Sequence, residues 1–386
     1  ESSTITSLAV GNTTPVSIAS GKSLSGAITV TGGSIKLSET GTLGSTVSMS
    51  GGTLDADETL TLSGVLSHTA DITIDVAVNK TLTYSGTAIN VGANTITLSG
   101  GGSFVSGGMT LNNAQSKLLL NSITLDSAST SANSSGLDVD GNSAITSLSV
   151  GHITPVSIAS TKTLSGTVTT TAGSLKLTET GTLASTIAMS GGTLDADESS
   201  TVSGALSHTA DITIDVADNK TLTYSGAAIS LGANTLTLSG GGSLVSGGLT
   251  LNNASSKLLL NSITVDNVST TSDSLGLDVD ADSTVTSLTV ANITPVAIVS
   301  GSSLSGGITV SAGSIKLTEA GTLVSTISMS GGVLDADESL AVSGALTHSG
   351  DITIDVADNK TLTYSGAAVE IGEYTLNVIG GGILNN

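Results

Sequence analysis

Acidic residues at short spacing are the side chains of this sequence best suited to chemistry. Asp55, Asp57 and Glu58 lie close together, and Asp138 and Asp140 lie two apart. Carboxylates at such spacing supply part of the shell of six to eight oxygen ligands that Ca²⁺ prefers. The full set of calcium candidates is Asp55, Asp57, Glu58, Asp138, Asp140, Asp195, Asp197, Glu198, Asp278, Asp280, Asp282, Asp335, Asp337 and Glu338.

The string LDVDGN at 137–142 matches only half of a calcium loop. Gly141 directly follows the second Asp, and no acidic residue closes the loop at the distance that the full motif requires. The alternative is an outward acidic face that keeps the protein soluble and discourages lateral association. Calcium is therefore the one cofactor that the sequence suggests. Under the alternative interpretation, the acidic face binds no cofactor.

Paired carboxylates also hydrolyse glycosidic bonds, where they lie about 5 to 10 Å apart. Asp55 and Asp57 would point to one face of a strand. However, every candidate pair occurs more than once, and the chain has no Arg and only four Tyr, one Phe and no Trp to form a platform for a sugar. We therefore expect that the protein is not an enzyme.

Three histidines hold the same position of an internal repeat. His68, His208 and His348 each precede an Asp by three residues, which is the arrangement of an acid–base or metal pair. Structural zinc normally takes four Cys or His ligands, and this chain has no Cys. The alternative that we favour is a turn residue copied with the repeat.

Composition excludes several function classes. The chain has 386 residues and a net charge of −21, and all ten of its basic residues are Lys. Because phosphate recognition relies on clustered Arg and Lys, we expect no nucleic-acid partner. The absence of Cys removes disulfides and thiolate metal sites. With so few aromatic residues, the core must consist of Leu, Ile, Val and Ala.

The chain repeats itself every 140 residues. ITSLAV at 5–10 returns as ITSLSV at 145–150 and VTSLTV at 285–290. The copies span 1–140, 141–280 and 281–386, and the third copy is incomplete and diverges at its end. We expect one continuous solenoid. Because Glu1 is neither an initiator Met nor part of a leader, we also expect a segment of a longer repetitive protein.

Within each copy, apolar residues recur at every second position, as in SIKLSE at 34–39, DITIDV at 71–76, TLTYSG at 81–86 and TITLSG at 95–100. This is the period of a half-buried strand, with Ile72, Ile74 and Val76 on one face. No segment has a helical stripe. The pattern predicts an all-β fold.

Two all-β architectures fit short strands, a series of β-sandwiches and a β-solenoid. Sandwiches usually pack around a large aromatic residue, whereas a solenoid interior suits small stacked aliphatic residues, so we predict a β-solenoid. A coil of roughly 20 residues gives about seven coils per copy and a rod of about 90 Å. The motifs TLTLSG, TLTYSG and TITLSG start at 59, 81 and 95, and this unequal spacing leaves the coil length open.

A resemblance to known proteins rests on two equivalent segments, NTITLSGGGSFVSGGMTLNNAQSKLLL at 94–120 and NTLTLSGGGSLVSGGLTLNNASSKLLL at 234–260. They resemble the Gly-Ser-Thr-rich repeats of bacterial autotransporter passengers and giant repetitive surface proteins. The resemblance implies a secreted or cell-surface location and service as an adhesin, fibre or cell covering. It carries over no catalytic or binding residue.

The end of the third copy departs from the repeat. Glu370, Glu373 and Tyr374 replace Ser230, Ala233 and Asn234, and Ile379 replaces Ser239, which makes these four residues interface candidates.

The leading hypothesis is a structural segment of an extracellular fibre or surface adhesin that self-associates end to end and does not span a membrane. The alternative is a calcium-binding adhesion module. Less favoured are an ice-binding solenoid, suggested by Thr-x-Thr runs, and a polysaccharide-binding β-helix with a glycan or cell-surface contact.

Overall fold

The structure, a computed structural model, describes all residues from Glu1 to Asn386 and consists of β-strands, turns and bends. Parallel strands stack into a β-solenoid of about 19 turns, as the sequence predicted. The predicted alternation is also confirmed, since Ile72, Ile74 and Val76 are buried while Thr73 and Asp75 are partly exposed. No helix long and apolar enough to cross a membrane is present.

The chain divides into two compact units whose limits differ from those of the 140-residue copies. Unit 1 comprises Glu1–Ala188 with Ser200–Gly204, and unit 2 comprises Met189–Ser199 with Ala205–Asn386.

One face of each coil belongs to a set of strands that we call the charged sheet, because it carries the lysines of most of the ion pairs described below. In unit 1 its strands are Thr14–Val16, Ser34–Leu37, Thr53–Ala56, Ile72–Val76, Thr95–Ser99, Lys117–Leu120, Gly136–Val139, Thr154–Ile158 and Ser174–Leu177. In unit 2 they are Thr193–Ala196, Ile212–Val216, Thr235–Ser239, Lys257–Asn261, Gly276–Val279, Ile293–Ile298, Ser314–Leu317, Val333–Ala336, Ile352–Val356 and Leu376–Ile379.

The remaining strands form the other faces of the coils. They are Ser3–Thr4, Leu8–Val10, Ser23–Ser25, Ala27–Val30, Thr42–Leu43, Thr46–Met49, Leu60–Leu62, Leu66–His68, Thr81–Tyr84, Ile89–Asn90, Ser103–Val105, Met109–Leu111, Thr124–Thr130, Ser143–Val150, Thr163–Thr170, Thr182–Leu183, Thr186–Met189, Ser200–Val202, Leu206–His208, Thr221–Tyr224, Ile229–Ser230, Ser243–Val245, Leu249–Leu251, Thr264–Thr270, Ser283–Val290, Ser303–Val310, Thr322–Leu323, Thr326–Met329, Leu340–Val342, Leu346–His348, Thr361–Tyr364 and Ile383–Asn385.

Inward side chains stack on their equivalents in the next coil. On the charged sheet of unit 1, one such row consists of in-register aliphatic residues that are all at most 2% exposed, namely Ile35, Leu54, Ile74, Leu98, Leu120, Val139 and Ile158. Burying each of them contributes about 1.5 to 3 kcal/mol. The core therefore runs through each unit as continuous rows of Leu, Ile and Val, as the composition predicted.

The registers also explain the unequal spacing of the motifs TLTLSG, TLTYSG and TITLSG. Leu60–Leu62 pairs with Thr81–Tyr84 in the next coil, so their separation of 22, from Thr61 to Thr83, is a coil length. Thr95–Ser99 instead lies on the charged sheet and pairs with Ile72–Val76. TLTYSG and TITLSG therefore lie on different faces of the solenoid, and the distance between them along the chain is not a coil length.

A turn of the same shape joins the charged sheet to the next face in each copy. In the first copy it runs from Ala77 to Lys80, whose N–H donates to the Ala77 carbonyl over 2.9 Å. Asn79 adopts a φ of 60° in this turn, and its equivalents Asn219 and Asn359 adopt 59° and 61°. Asn tolerates this left-handed conformation better than most residues do.

Candidate functional site

Lys36, Asp55 and Asp57 form a cluster on the charged sheet of unit 1. Asp55 lies in register between Lys36 in the preceding coil and Asp75 in the following coil. The Lys36 Nζ lies 3.2 Å from Asp55 Oδ2 and 2.8 Å from Asp57 Oδ2. The lysine therefore bridges the two carboxylates that sequence analysis offered as calcium ligands.

The third copy repeats this cluster in unit 2. Lys316 Nζ lies 3.1 Å from Asp335 Oδ2 and 2.7 Å from Asp337 Oδ2, and Asp335 is in register with Asp355. In the second copy, Asp195 pairs in register with Asp215. Asp195 and Asp197 also take part in side-chain or electrostatic interactions.

Each cluster raises the pKa of one aspartate and of its lysine. Burial raises the pKa of Asp55 above its ordinary value, the Lys36 ammonium opposes this rise, and the Asp57 and Asp75 carboxylates add to it. Hydrogen bonds to Asp57 and then Asp55 raise the pKa of Lys36. The corresponding shifts occur for Asp335 and Lys316. The lysine ammonium therefore stays charged between the carboxylates.

The glutamates of the acidic clusters each pair with a lysine of the next coil. Lys80 Nζ lies 2.6 Å from Glu58 Oε2, and the equivalent distances are 2.7 Å between Lys220 and Glu198 and 2.6 Å between Lys360 and Glu338. The lysines are the last residues of the turns that contain Asn79, Asn219 and Asn359. Each pair thus ties a turn to the neighbouring coil.

In a second set of acidic candidates, only some members pair with a lysine of a neighbouring coil. Lys117 Nζ lies 2.7 Å from Asp138 Oδ2, and Lys257 Nζ lies 2.6 Å from Asp278 Oδ2. The exposed side chains of Asp140 and Asp280 make no hydrogen bond or ion pair. The Oδ1 of Asp282 accepts hydrogen bonds from the Ser303 N–H at 2.8 Å and from its hydroxyl at 2.9 Å.

The structure therefore assigns most of the candidate calcium ligands to contacts between coils. It contains no group of three or more His, Cys, Asp or Glu side chains that could hold a metal ion. The candidates are spread along one sheet and its corners, and lysine ammonium groups lie against most of them.

The histidines contact backbone carbonyls and do not pair with the Asp three residues later. The two ring nitrogens of His68 lie 3.3 Å from the Ala70 oxygen and 3.0 Å from the Asn90 oxygen. Asp71 instead accepts a hydrogen bond from the Thr95 N–H over 2.7 Å. This geometry favours a structural role over the acid–base pair, although His68 ends the strand Leu66–His68 and does not lie in a turn.

The four interface candidates are all exposed. The Tyr374 ring lies edge-on to the His348 ring, with 6.0 Å between the centroids. Ile379 is 44% exposed and in register with Asp355. In the first copy the equivalent Ser99 hydroxyl donates a hydrogen bond to Asp75, so Ile379 replaces a hydrogen-bond donor by an apolar surface.

Sequence analysis missed Ile383, which is 62% exposed and replaces Ser103 and Ser243 of the earlier copies. The same difference between copies that identifies Ile379, an apolar residue in place of Ser, also identifies Ile383. Nearby, inward-facing Leu376 and Leu384 line a cavity of about 250 Å³.

Threonine rows on the charged sheet are short. Thr53, Thr73 and Thr97 are in register, but Leu119 and then Asp138 occupy the same row in the next two coils. An ice-binding face needs an uninterrupted array, and this row does not provide one.

The chain matches no protein-family model, no curated protein and no solved structure.

Proposed function

We propose that the chain is a structural segment of an extracellular fibre or surface adhesin, secreted or displayed on a bacterial cell. The observation that carries the proposal is the in-register stacking of equivalent coils. Each coil places aliphatic rows inside and hydroxyls or ion pairs outside, and each cluster that could do chemistry recurs in the same position of the repeat. Such a design suits a spacer better than a single reactive centre.

The proposed mechanism is mechanical. In parallel stacked strands, backbone hydrogen bonds run along the stacking direction, about 4.8 Å from coil to coil. Separating two coils breaks hydrogen bonds on several faces together and exposes a layer of the aliphatic core. Each unit therefore resists extension as a stack of equivalent layers, and this resistance needs no ligand.

The surface supports the same role. The ion pairs join consecutive coils, so they add register-specific contacts between layers, each worth about 0 to 1 kcal/mol. The excess of acidic residues, which gives the net charge of −21, opposes lateral association of neighbouring molecules.

We further propose that the chain self-associates through the exposed apolar side chains of Tyr374, Ile379 and Ile383. Ile379 and Ile383 stand where the earlier copies have Ser, and all three residues are at least 44% exposed. A contact of this chemistry suits a second copy of the chain or another apolar module of the same fibre.

The calcium-binding adhesion module remains a prediction, because no observation favours it over the ion pairs. Ice binding and a polysaccharide contact also stay predictions. So does the prediction that the chain is not an enzyme.

Electron microscopy of the native material tests the proposal. We expect filaments much longer than the roughly 90 Å that the sequence predicts for one chain from the strand spacing, with a repeat along the axis. Discrete particles of about that length at every concentration would contradict the fibre hypothesis. They would favour an adhesin that acts as a single molecule.

A further inference from the structure

The turn at residues 77–80 and its two equivalents carry a sequence motif that the mechanical role does not use. Each copy contains Asn-Lys-Thr there, at 79–81, 219–221 and 359–361. Asn-x-Ser/Thr with any residue but Pro in the middle is the acceptor triplet for N-linked glycosylation. We propose that Asn79, Asn219 and Asn359 are glycosylation sites.

The backbone presents these asparagines outward. Each occupies the left-handed position of a turn whose ends are closed by the hydrogen bond from the Lys N–H to the Ala carbonyl, at 2.9 Å in the first copy and 3.0 Å in the others. All three asparagines are exposed. The side chain thus projects from a corner of the coil, where a transferase can approach without opening a strand pair.

The two groups that define the triplet are also free. The Asn79 and Asn359 amides and the Thr81 and Thr361 hydroxyls make no hydrogen bond within the chain; the two threonines use only their backbone N–H. Asn219 differs, because its Nδ2 donates to Asp218 Oδ2 over 2.9 Å. Reaction at this copy must first break that hydrogen bond.

Five other acceptor triplets begin at Asn12, Asn133, Asn253, Asn267 and Asn292. In each of them a defining side chain is already engaged. Asn133 Oδ1 accepts from the Ile153 N–H at 3.1 Å, and Asn253 Oδ1 accepts from the Ser255 N–H at 2.9 Å. Asn292 Nδ2 donates to the Thr270 carbonyl at 3.3 Å.

For the remaining two triplets the engaged group is the hydroxyl. Thr14 donates to the Asn12 carbonyl at 3.2 Å, and Ser269 donates to the Leu249 carbonyl at 3.4 Å. The folded chain therefore distinguishes Asn79 and Asn359, whose triplets are free, from Asn219 and from the other five.

The reaction requires a sugar activated through a phosphate, linked to a nucleotide or a lipid, and a transferase. A bond forms between the Asn Nδ2 and C1 of the sugar while the bond from C1 to the phosphate oxygen breaks. The phosphate leaves with the electron pair, and the amide proton passes to a base of the transferase. The protein contributes the exposed acceptor and the free Thr hydroxyl.

Within unit 2 the two sites lie on the same corner of the coil, seven charged-sheet strands apart. At about 4.8 Å per coil the separation is about 34 Å, so both can carry a sugar chain. Bulky polar groups in this row would shield one corner from lateral contacts. The proposal does not rest on fibre assembly and requires only that the chain meets a transferase.

The first test is peptide mass spectrometry of the native protein, in which we expect sugar on the peptides that contain Asn79 and Asn359. In the second, the folded full chain is incubated with a soluble N-glycosyltransferase and a nucleotide-activated hexose. We expect hexose at Asn79 and Asn359, slower addition at Asn219, and addition at Asn133 and Asn253 only after denaturation.

Two variants isolate the first-copy site without disturbing the turn. Asn79→Gly keeps the positive φ, and Thr81→Val keeps the side-chain shape while removing the hydroxyl. Each should abolish addition at residue 79 and leave Asn359 unaffected. Unmodified Asn79 and Asn359 in the native protein would overturn the proposal, as would equal rates at Asn133 and Asn79 in the folded chain. Neither result depends on whether filaments form.

Discussion

The hydroxyl of Tyr364 accepts a hydrogen bond from the backbone N–H of Leu346, 18 residues earlier, over 3.0 Å. The same hydroxyl donates to the Ala367 carbonyl over 2.6 Å. Equivalent bonds join Tyr224 to Leu206 and Tyr84 to Leu66. One aromatic side chain per copy thus connects a coil to the one before it, through a backbone N–H of that earlier coil.

Replacing Tyr364 by Phe should therefore destabilise unit 2. The variant keeps the ring but leaves the Leu346 N–H and the Ala367 carbonyl without their partner, which costs about 1 to 3 kcal/mol. Urea unfolding of the full chain, followed by circular dichroism, measures the change. Tyr374→Phe is the control, because that exposed hydroxyl makes no hydrogen bond. Equal midpoints for the two variants would contradict the proposed role.

Thr170→Val should stabilise unit 1. Thr170 is fully buried, and its hydroxyl has no hydrogen-bond partner. The other copies have Val30 and Val310 at this position, both fully buried. Because Val has the same shape and no polar group to desolvate, we expect a gain of about 1 to 2 kcal/mol in the free energy of unfolding.

The reverse change, Val310→Thr, is the matched control and should destabilise unit 2 by a similar amount. Thermal or urea unfolding of both variants beside the parent chain decides the point. A lower midpoint for Thr170→Val would show that the hydroxyl is satisfied in solution.

Repeat comparison predicted much of this fold because each aliphatic row reappears in three copies. The alternation of Ile72, Ile74 and Val76 fixes which face is inside. It does not reveal which residues of successive coils are neighbours, since coil length varies from the 19 residues between Lys36 and Asp55 to the 24 between Asp75 and Ser99.

The candidate site was less predictable for the same reason. The carboxylates of Asp55 and Asp57 were recognised from their spacing, but Lys36, which forms ion pairs with both, is a whole coil away along the chain. Local spacing suggests a calcium shell, whereas the register places an ammonium group between the carboxylates.

Asp335→Asn should change how stability depends on pH. Burial raises the folded-state pKa of Asp335 above its ordinary value of 3.8. Protonation therefore favours the folded state, and this contribution is complete below pH 3.8 and is lost as pH rises through the raised folded value. Relative to Asp335→Asn, the parent chain should gain stability as pH falls from 7 to 4, by about 1 kcal/mol or less because the group is partly exposed.

Thermal unfolding at a series of pH values gives this difference directly. Lys316 keeps its 2.7 Å contact with Asp337 in the variant, so the fold should persist. Asp140→Asn is the control, since its exposed side chain makes no contact to lose. A parent chain that loses stability relative to Asp335→Asn on acidification would contradict the predicted sign.

Calcium should leave the melting temperature unchanged. A ligand that binds only the folded state must raise stability with its concentration. The structure offers no cluster of three metal-binding side chains, and lysines lie against most of the candidate carboxylates. Melting curves in EDTA and in millimolar calcium should therefore coincide. A rise that saturates with calcium and disappears in Asp335→Asn would support the calcium-binding module instead.

Replacing Ile379 and Ile383 by the serines that the earlier copies carry should weaken self-association. Ile379→Ser and Ile383→Ser remove the two exposed apolar side chains, and the first also supplies a hydroxyl for Asp355, as Ser239 does for Asp215 in the second copy. Sedimentation velocity over a concentration series compares the double variant with the parent chain. Val78→Ser, which removes a 64% exposed apolar residue elsewhere, is the control. We expect the parent and the control to associate alike and the double variant to remain smaller. Identical association of all three would place the contact on another surface.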